Sequence, residues 1–310
     1  MTLFPLAKIQ RTDECLVYHD ESKRVLDDRV WAHGLLFVPE SARVELLKRL
    51  YESINKHNCE NNSLHFAEIS GKKICAQDGS IVIRDWVNYG VEALRRKGST
   101  IFRPALNCKL GIIIFNTAVP LDPYGGNTEG ERKLRYFETV LRMLLKGCAH
   151  YLYDENNRLR IKGIITDGNS WHRKMNAVRI LRPLLTETRN FVEIDRQAYI
   201  EAVPKDHCAP DCVDRDSAHL LKLIDQLIGC VVQSCFRQLS FGQKKEIIAR
   251  PVREMLDKRN RGRNFRASGH YKQFTISYAQ LINKQWRFKQ IDARAVSHEG
   301  NQLILPEFDS

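Results

Sequence analysis

A strand-like run that ends in two adjacent carboxylates is the feature that most restricts how this sequence can fold. The apolar residues 16–18 lead into Asp20 and Glu21, and a polar turn follows from Ser22. Because side chains alternate along a strand, Asp20 projects to the same side as Tyr18, and Glu21 projects to the other side. An acid at the end of a core strand costs free energy unless its charge is compensated. We therefore expect a basic partner or a metal ion beside this strand.

The order of the apolar patterns predicts an α/β fold with a mixed sheet. Two strand patterns, at about residues 14–20 and 30–38, are joined by a short polar connection that is typical of a hairpin. Strand and helix patterns then alternate, which favours a mixed sheet flanked by helices. A capping box at 128–131 marks one helix start. Helices are expected at about 40–57, 80–96, 128–153, 169–185, 216–237 and 243–258, and further strands near 100–106, 109–115, 161–166, 191–194, 274–277 and 303–305.

The composition indicates a globular protein of the cytoplasm. A chain of 310 residues with 43% hydrophobic content can bury one large core or two smaller ones. No apolar run approaches the ~20 residues that a membrane helix requires. The N-terminus lacks a basic region followed by an apolar one, so we expect no signal peptide and no membrane contact. The nine cysteines are scattered and odd in number, which favours a reducing compartment.

The basic charge is concentrated at one end of the chain. The net charge is +12, and residues 240–310 contain fourteen Lys and Arg against seven Asp and Glu. Such a surface either binds a polyanion, most often nucleic acid, or is simply solvated. Near residues 259–272, basic residues that can contact phosphates alternate with aromatic residues that can stack on unpaired bases. The candidate nucleic-acid-binding residues are Arg259, Arg261, Arg263, Arg266 and Lys272.

Four acids stand where carboxylates are unusual. Asp20 and Asp167 each end a predicted strand, and Glu68 closes a short apolar segment. Asp225 lies within the apolar stripe of the helix predicted at 216–237, three residues before Ile228. An unpaired carboxylate there would cost several kcal/mol, on the order of other buried charges. Asp225 therefore serves a metal or a catalytic role, lies at the edge of the stripe, or pairs with a Lys or Arg.

The acids together suggest a metal site. Carboxylate oxygens bind Mg²⁺ or Mn²⁺, and three or four carboxylates can hold one ion or two ions ~4 Å apart. Such ions activate a water and stabilise the leaving oxygen of a phosphodiester. The expected catalytic residues are Asp20, Glu68, Asp167 and Asp225, and Glu21 is a further candidate metal ligand.

Four sequence blocks in this order resemble a known family. The blocks are VYHDES at 17–22, LHFAEI at 64–69, IITD at 164–167 and LIDQLIG at 223–229. The pattern is similar to the uncharacterised family called "domain of unknown function thirty-eight hundred", which is placed among RNase H-like folds. The resemblance covers about residues 16–237. It implies a mixed RNase H-like sheet with helices on both faces and a metal-dependent nuclease, and some members are linked with mobile elements or phage defence.

The resemblance also divides the chain. It predicts an RNase H-like catalytic domain over residues 1–239 and leaves a basic helical or irregular C-terminal extension over residues 240–310. Two rival functions remain open. One is a non-catalytic nucleic-acid-binding protein, and the other is a subunit of a larger defence or recombination assembly that acts only with partners.

Several other residues have both a chemical and a plain structural interpretation. His19 and His65 lie close in sequence to Asp20 and Glu68, and each is either a proton shuttle or ligand, or an ordinary surface or core histidine. Cys208 and Cys212, with two histidines nearby, form a poor match to a zinc site, because the second ligand pair is weak.

Overall fold

The structure of the chain, a computed structural model, describes residues 11–25, 30–60, 62–96, 105–116, 125–168, 170–188, 191–203, 214–235, 242–260, 272–282 and 285–290. Within these ranges the strands are β1 (Arg11–Val25), β2 (Val30–Pro39), β3 (Lys109–Asn116), β4 (Asn157–Thr166), β5 (Val192–Ala202), β6 (Phe274–Ile282) and β7 (Gln285–Gln290). The helices are α1 (Glu40–His57), α2 (Ser80–Ala93), α3 (Glu129–Leu152), α4 (Ala177–Glu187), α5 (Arg215–Cys235) and α6 (Gln243–Asn260).

The strands form one mixed sheet in the order β5-β4-β1-β2-β3-β6-β7. Strand β2 runs antiparallel to both β1 and β3, and β7 runs antiparallel to β6. The pairs β1–β4, β4–β5 and β3–β6 are parallel. Strands β1, β3, β4, β5 and β6 therefore all end at the same edge of the sheet. The predicted α/β class with a mixed sheet is confirmed.

Helices cover both faces of the sheet because its central strands are apolar on both sides. Tyr18 and Leu36 face the core that contains α1, α2, α5 and α6. Val17 and Leu35, one residue away on the same strands, face the core that contains α3 and α4. This alternation is the period-two pattern of a strand buried on both faces.

Residues on both sides of the predicted boundary at 240 share one core. Ile248 and Val252 of α6 are buried in the same core as Leu227 of α5, and β6 pairs with β3. The predicted boundary at residue 240 thus falls between two helices that pack together, and the described part of the expected extension is built into the sheet. Among the described helices, none is both long enough and apolar enough to cross a membrane.

Three predicted elements are corrected by the structure. The strand predicted to end at Asp20 and Glu21 continues to Val25, where it still pairs with β2, so both acids lie inside β1 rather than at its end. The strand expected at 191–194 continues to Ala202, because its exposed residues still pair with β4, as Tyr199 does with Gly163. The helix expected from residue 169 begins only at Ala177, where Asn176 caps it. A 3₁₀ turn, His172–Lys174, precedes it. Of the other predicted strands, 303–305 and most of 100–106 lie outside the described residues. The predicted helix start at Thr128 is confirmed by the bond from the Glu131 N–H to Thr128 Oγ1 at 3.1 Å. The return bond of a capping box is shifted by one residue, because the Glu131 carboxylate accepts from the Asn127 N–H at 2.7 Å.

Candidate active site

Three aspartates from three separate elements meet at the edge where the parallel strands end. Asp20 lies in β1 beside Gly34 of β2, and its neighbour His19 pairs with Thr166, the last residue of β4. Asp167 follows directly. Asp225 comes from α5, which crosses this end of the sheet.

A glycine allows α5 to come this close. A Cβ at Gly34 would lie 2.7 Å from Ile228 Cγ1, so the helix can pack on β2 at this height only because Gly34 has no side chain. Asp225 lies one turn before Ile228, and Gly34 is the partner of Asp20 across the β1–β2 ladder. The close packing therefore carries Asp225 to Asp20.

Asp20 is the innermost of the three carboxyl groups. It is 7% exposed, and the N–H of Glu21 donates to its Oδ1 at 2.8 Å. Burial raises the pKa of Asp20 well above its usual range, and the negative charges of Asp225 and Asp167 raise it further. The three carboxyl groups thus repel one another, which is the electrostatic situation that a bound cation relieves.

Asp225 is held by the segment that follows α1. The N–H of Phe66 donates to Asp225 Oδ2 at 3.1 Å, and His65 Nδ1 lies 3.5 Å from the same oxygen. The Gln226 amide donates to the Leu64 carbonyl at 2.9 Å, which fixes the segment on α5. Asp225 is therefore neither a solvated edge residue nor a fully buried charge.

Asp167 is held from the other face of the sheet by His172. The Nδ1 of this buried ring is hydrogen-bonded to Asp167 Oδ1. Burial lowers the pKa of His172, but the hydrogen bond and charge of Asp167, with the charge of Glu21, outweigh it, and the pKa is raised overall. The raised pKa thus favours the protonated form of His172 behind the acid cluster.

His172 belongs to a group of three buried histidines. His33 Nδ1 lies 3.4 Å from His19 Nε2, and the His19 ring meets that of His172 edge-on with centroids 5.1 Å apart. Burial, followed by the positive charge of His172, lowers the pKa of His33 to about 3. The pKa of His19 is also lowered, first by burial and then by the charges of His172 and His33. His19 is therefore a core histidine.

Glu21 and Glu68 are not arranged like the three aspartates. Glu21 projects to the histidine face, with Oε2 3.8 Å from His33 Nδ1. Its charge still raises the pKa of Asp20, but less than those of Asp225 and Asp167. Glu68 is exposed in a turn, where its carboxylate accepts a bond from the Ser63 hydroxyl. The segment before it is a turn because Leu64 adopts a positive φ of 57°.

Of the five predicted nucleic-acid-binding residues, only Lys272 has a described side chain. Lys272 Nζ lies 2.6 Å from Asp154, which precedes β4. Lys272 also precedes β6, so it lies toward the edge where the parallel strands begin. Asp20 lies level with Ile276 of β6 through the register of β1, β2, β3 and β6, four residues further along than Lys272. The contact of Lys272 with nucleic acid stays a prediction. Arg259 lies in the last turn of α6, and its side chain is not among those that the structure describes. Arg261, Arg263 and Arg266 lie outside the described residues, as do Cys208 and Cys212.

A different lysine reaches the site. Lys245, in the first turn of α6, donates to the Ala67 carbonyl at 3.1 Å, and its Nζ lies 5.4 Å from the Phe66 ring centroid. Burial lowers its pKa, and the charge of Asp225 acts in the opposite direction. Neither Lys245 nor His172 stood out in the sequence. The only signal for His172 was its position five residues after Asp167, and for Lys245 there was none.

The donor set matches Mg²⁺ or Mn²⁺ in kind, because it consists of three carboxyl groups, two of which raise the pKa of the third, Asp20. As they stand, no three His, Cys, Asp or Glu side chains among the described residues surround a common point as metal ligands would. Holding an ion requires the aspartate side chains to turn toward one another. Comparisons of the chain with protein-family models, curated proteins and solved structures find no match.

Proposed function

We propose that this protein is a metal-dependent nuclease of RNase H-like fold that hydrolyses phosphodiester bonds of DNA or RNA. The observation that carries the proposal is the buried carboxyl group of Asp20, with Asp167 and Asp225 close enough to raise its pKa. Burying the carboxyl group of Asp20 beside two further acids destabilises a fold unless they serve a ligand. The mixed sheet with helices on both faces and the order of the acids along the chain agree with the family that the sequence resembles.

The residues around the acids have separate tasks in this mechanism. Asp20, Asp167 and Asp225 would hold one or two Mg²⁺ or Mn²⁺ ions. A bound ion supplies a more acidic water and stabilises charge on the phosphate oxygens. His172 keeps Asp167 oriented by donating its Nδ1 proton, and the N–H of Phe66 does the same for Asp225. Lys245 places a positive charge beside Asp225, where it can meet a substrate phosphate.

The test uses purified full-length protein and labelled single- and double-stranded DNA and RNA. Cleavage should require Mg²⁺ or Mn²⁺ and stop with EDTA. Asp20→Asn and Asp225→Asn should abolish cleavage but retain binding, whereas Glu52→Gln, at an exposed acid of α1, should cut like the parent. Cleavage that survives EDTA, or an Asp20→Asn variant as active as the parent, would overturn the proposal.

A second candidate is a nucleic-acid-binding protein that does no chemistry. It is favoured by two observations. Asp167 and Asp225 are already hydrogen-bonded, to His172 and to the N–H of Phe66. In addition, the acids among the described residues do not surround a common point. Such a protein would bind nucleic acid in a salt-sensitive way but show no Mn²⁺-dependent thermal shift. Activity that appears only after co-expression with neighbouring genes would instead indicate a subunit of a larger defence or recombination assembly.

A further inference from the structure

A groove lies on the sheet face opposite Asp20 and Asp225. Its walls come from the second half of α3, and its floor comes from β3, β6 and β7. Its volume is about 340 Å³, which lies within the range of pockets that hold small ligands. None of the three aspartates lines it, so it is distinct from the candidate active site.

Two glycines shape this groove. A Cβ at Gly111 would lie 1.9 Å from Cys148 Sγ, so α3 is seated directly on β3 at that point. A Cβ at Gly147, one residue earlier on α3, would meet no atom within 4 Å. The helix is thus tightly packed on one side of the groove and open on the other.

The groove is largely apolar inside. Met143 and Ile113 line it, and Phe288 at its border is 48% exposed. Thr275 also lines the floor, but it is only 4% exposed and its hydroxyl oxygen is closed off from the groove. The inner surface therefore suits the apolar part of a ligand.

The rim of the groove is positively charged. Arg142 and Lys146 of α3 both line it. Arg142 is only partly exposed and forms no ion pair with any described residue. A guanidinium beside apolar surface binds a carboxylate or phosphate well, because the bond is charge-assisted and can be bidentate.

We propose that this groove binds a small amphipathic anion, an acyl chain or ring that carries one carboxylate or phosphate group. The apolar part lies against Met143 and Phe288, and the anionic group pairs with Arg142. A nucleic acid does not fit this description, because the groove floor is apolar. This inference is independent of the nuclease proposal, because the groove and the acid cluster share no residue.

Isothermal titration of the full chain with decanoate, decyl phosphate and decanol tests the proposal. At least one anion should bind, and decanol should bind about tenfold more weakly because it lacks the charge-assisted bond. Preference for decanoate or for decyl phosphate identifies which anionic group the site takes. Arg142→Gln should remove the difference between anion and alcohol. Thr275→Val is the control and should bind the preferred anion like the parent, because this hydroxyl is closed off from the groove.

Gly147→Phe should abolish binding, because the new ring projects into the open side of the groove. If Gly147→Phe does not fold, the Arg142→Gln result decides, since that side chain lies at the rim. Absence of binding by both anions at millimolar concentration would overturn the proposal. Equal affinity for decanol, or unchanged binding in a folded Gly147→Phe variant, would also overturn it.

Discussion

His172 Nδ1 is hydrogen-bonded to Asp167 Oδ1, so the carboxylate that follows β4 is held by a buried ring whose pKa is raised by this contact. The ring comes from the face of the sheet opposite Asp225. The acid cluster is therefore supported from both faces, by His172 on one side and by the N–H of Phe66 on the other.

We expect His172→Leu to lower Mn²⁺ affinity about tenfold to a hundredfold, as loss of a group that orients a metal ligand usually does. His172→Asn, whose amide can donate from nearly the same position, should recover part of the affinity. The measurement is Mn²⁺ titration by calorimetry, with unfolding monitored in parallel. If His172→Leu binds Mn²⁺ as the parent does, His172 only fills space.

Asp20→Asn should stabilise the metal-free protein. The folded-state pKa of Asp20 is raised, so the folded protein holds a proton that the unfolded chain has released. The contribution of Asp20 to stability is therefore lost as pH rises from about 3.9 toward the folded pKa. At pH 8 we expect the variant to gain on the order of 2 kcal/mol in unfolding free energy.

Mn²⁺ should raise the melting temperature of the parent and leave that of Asp20→Asn unchanged. Glu52→Gln on α1 is the control, because this exposed acid lies outside the cluster. If Asp20→Asn is less stable than the parent at pH 8 without metal, the aspartates do not repel one another as we infer.

The buried histidines should make the fold sensitive to acid. The folded pKa of His33 is lowered to about 3, so between pH 6.5 and 3 the unfolded chain binds a proton that the folded state does not. Stability is therefore full above about pH 6.5 and falls as pH decreases, by about 2 kcal/mol between pH 7 and 5.

Urea unfolding at the two pH values measures this loss. His33→Phe, which suits the surrounding rings of Trp31 and Phe115, should reduce it. His150→Gln on α3 serves as the control, since that histidine is exposed. An unchanged pH dependence in His33→Phe would exclude His33 as its source.

Lys245→Ala should weaken substrate binding more than it slows the chemical step. Because its ammonium lies near Asp225, we expect KM for an oligonucleotide to rise about tenfold with a smaller change in kcat, and the salt dependence to become shallower. Lys272→Ala, at the opposite edge of the sheet, is the matched control and should cut like the parent. If Lys272→Ala raises KM and Lys245→Ala does not, the substrate binds at the edge where Lys272 lies.

Two helix glycines offer a matched pair of alanine substitutions. In Gly229→Ala the new Cβ would lie 2.3 Å from Phe66 Cδ1, so the segment that holds Asp225 must move. We expect a loss of about 1–3 kcal/mol together with weaker Mn²⁺ binding. Gly147→Ala meets no atom within 4 Å and should gain about 0.5–1 kcal/mol from helix propensity. Denaturant unfolding of both variants measures these changes in free energy. If Gly229→Ala is as stable as the parent, the packing of Phe66 against Gly229 does not hold the segment in place.

Sequence patterns located an element well where its apolar residues follow a single strand or helix period. The apolar run before Asp20 and the stripe around Asp225 correspond to β1 and α5, because each is buried along its length. The patterns failed for β5, whose outer half is exposed, and for Glu68, where a positive φ at Leu64 makes a turn. They also did not tell at which edge of the sheet Lys272 lies, because basic composition carries no such information.

The sequence by itself determined the α/β class and the presence of acids at positions where a lone carboxylate is costly. Those properties follow from local periodicity and from the free energy of burying charge. Only the tertiary structure decided that Asp20, Asp167 and Asp225 meet, and that His172 and Lys245 join them. Such proximity depends on strand order and on the approach of α5 at Gly34, which are set by contacts between residues far apart in the chain.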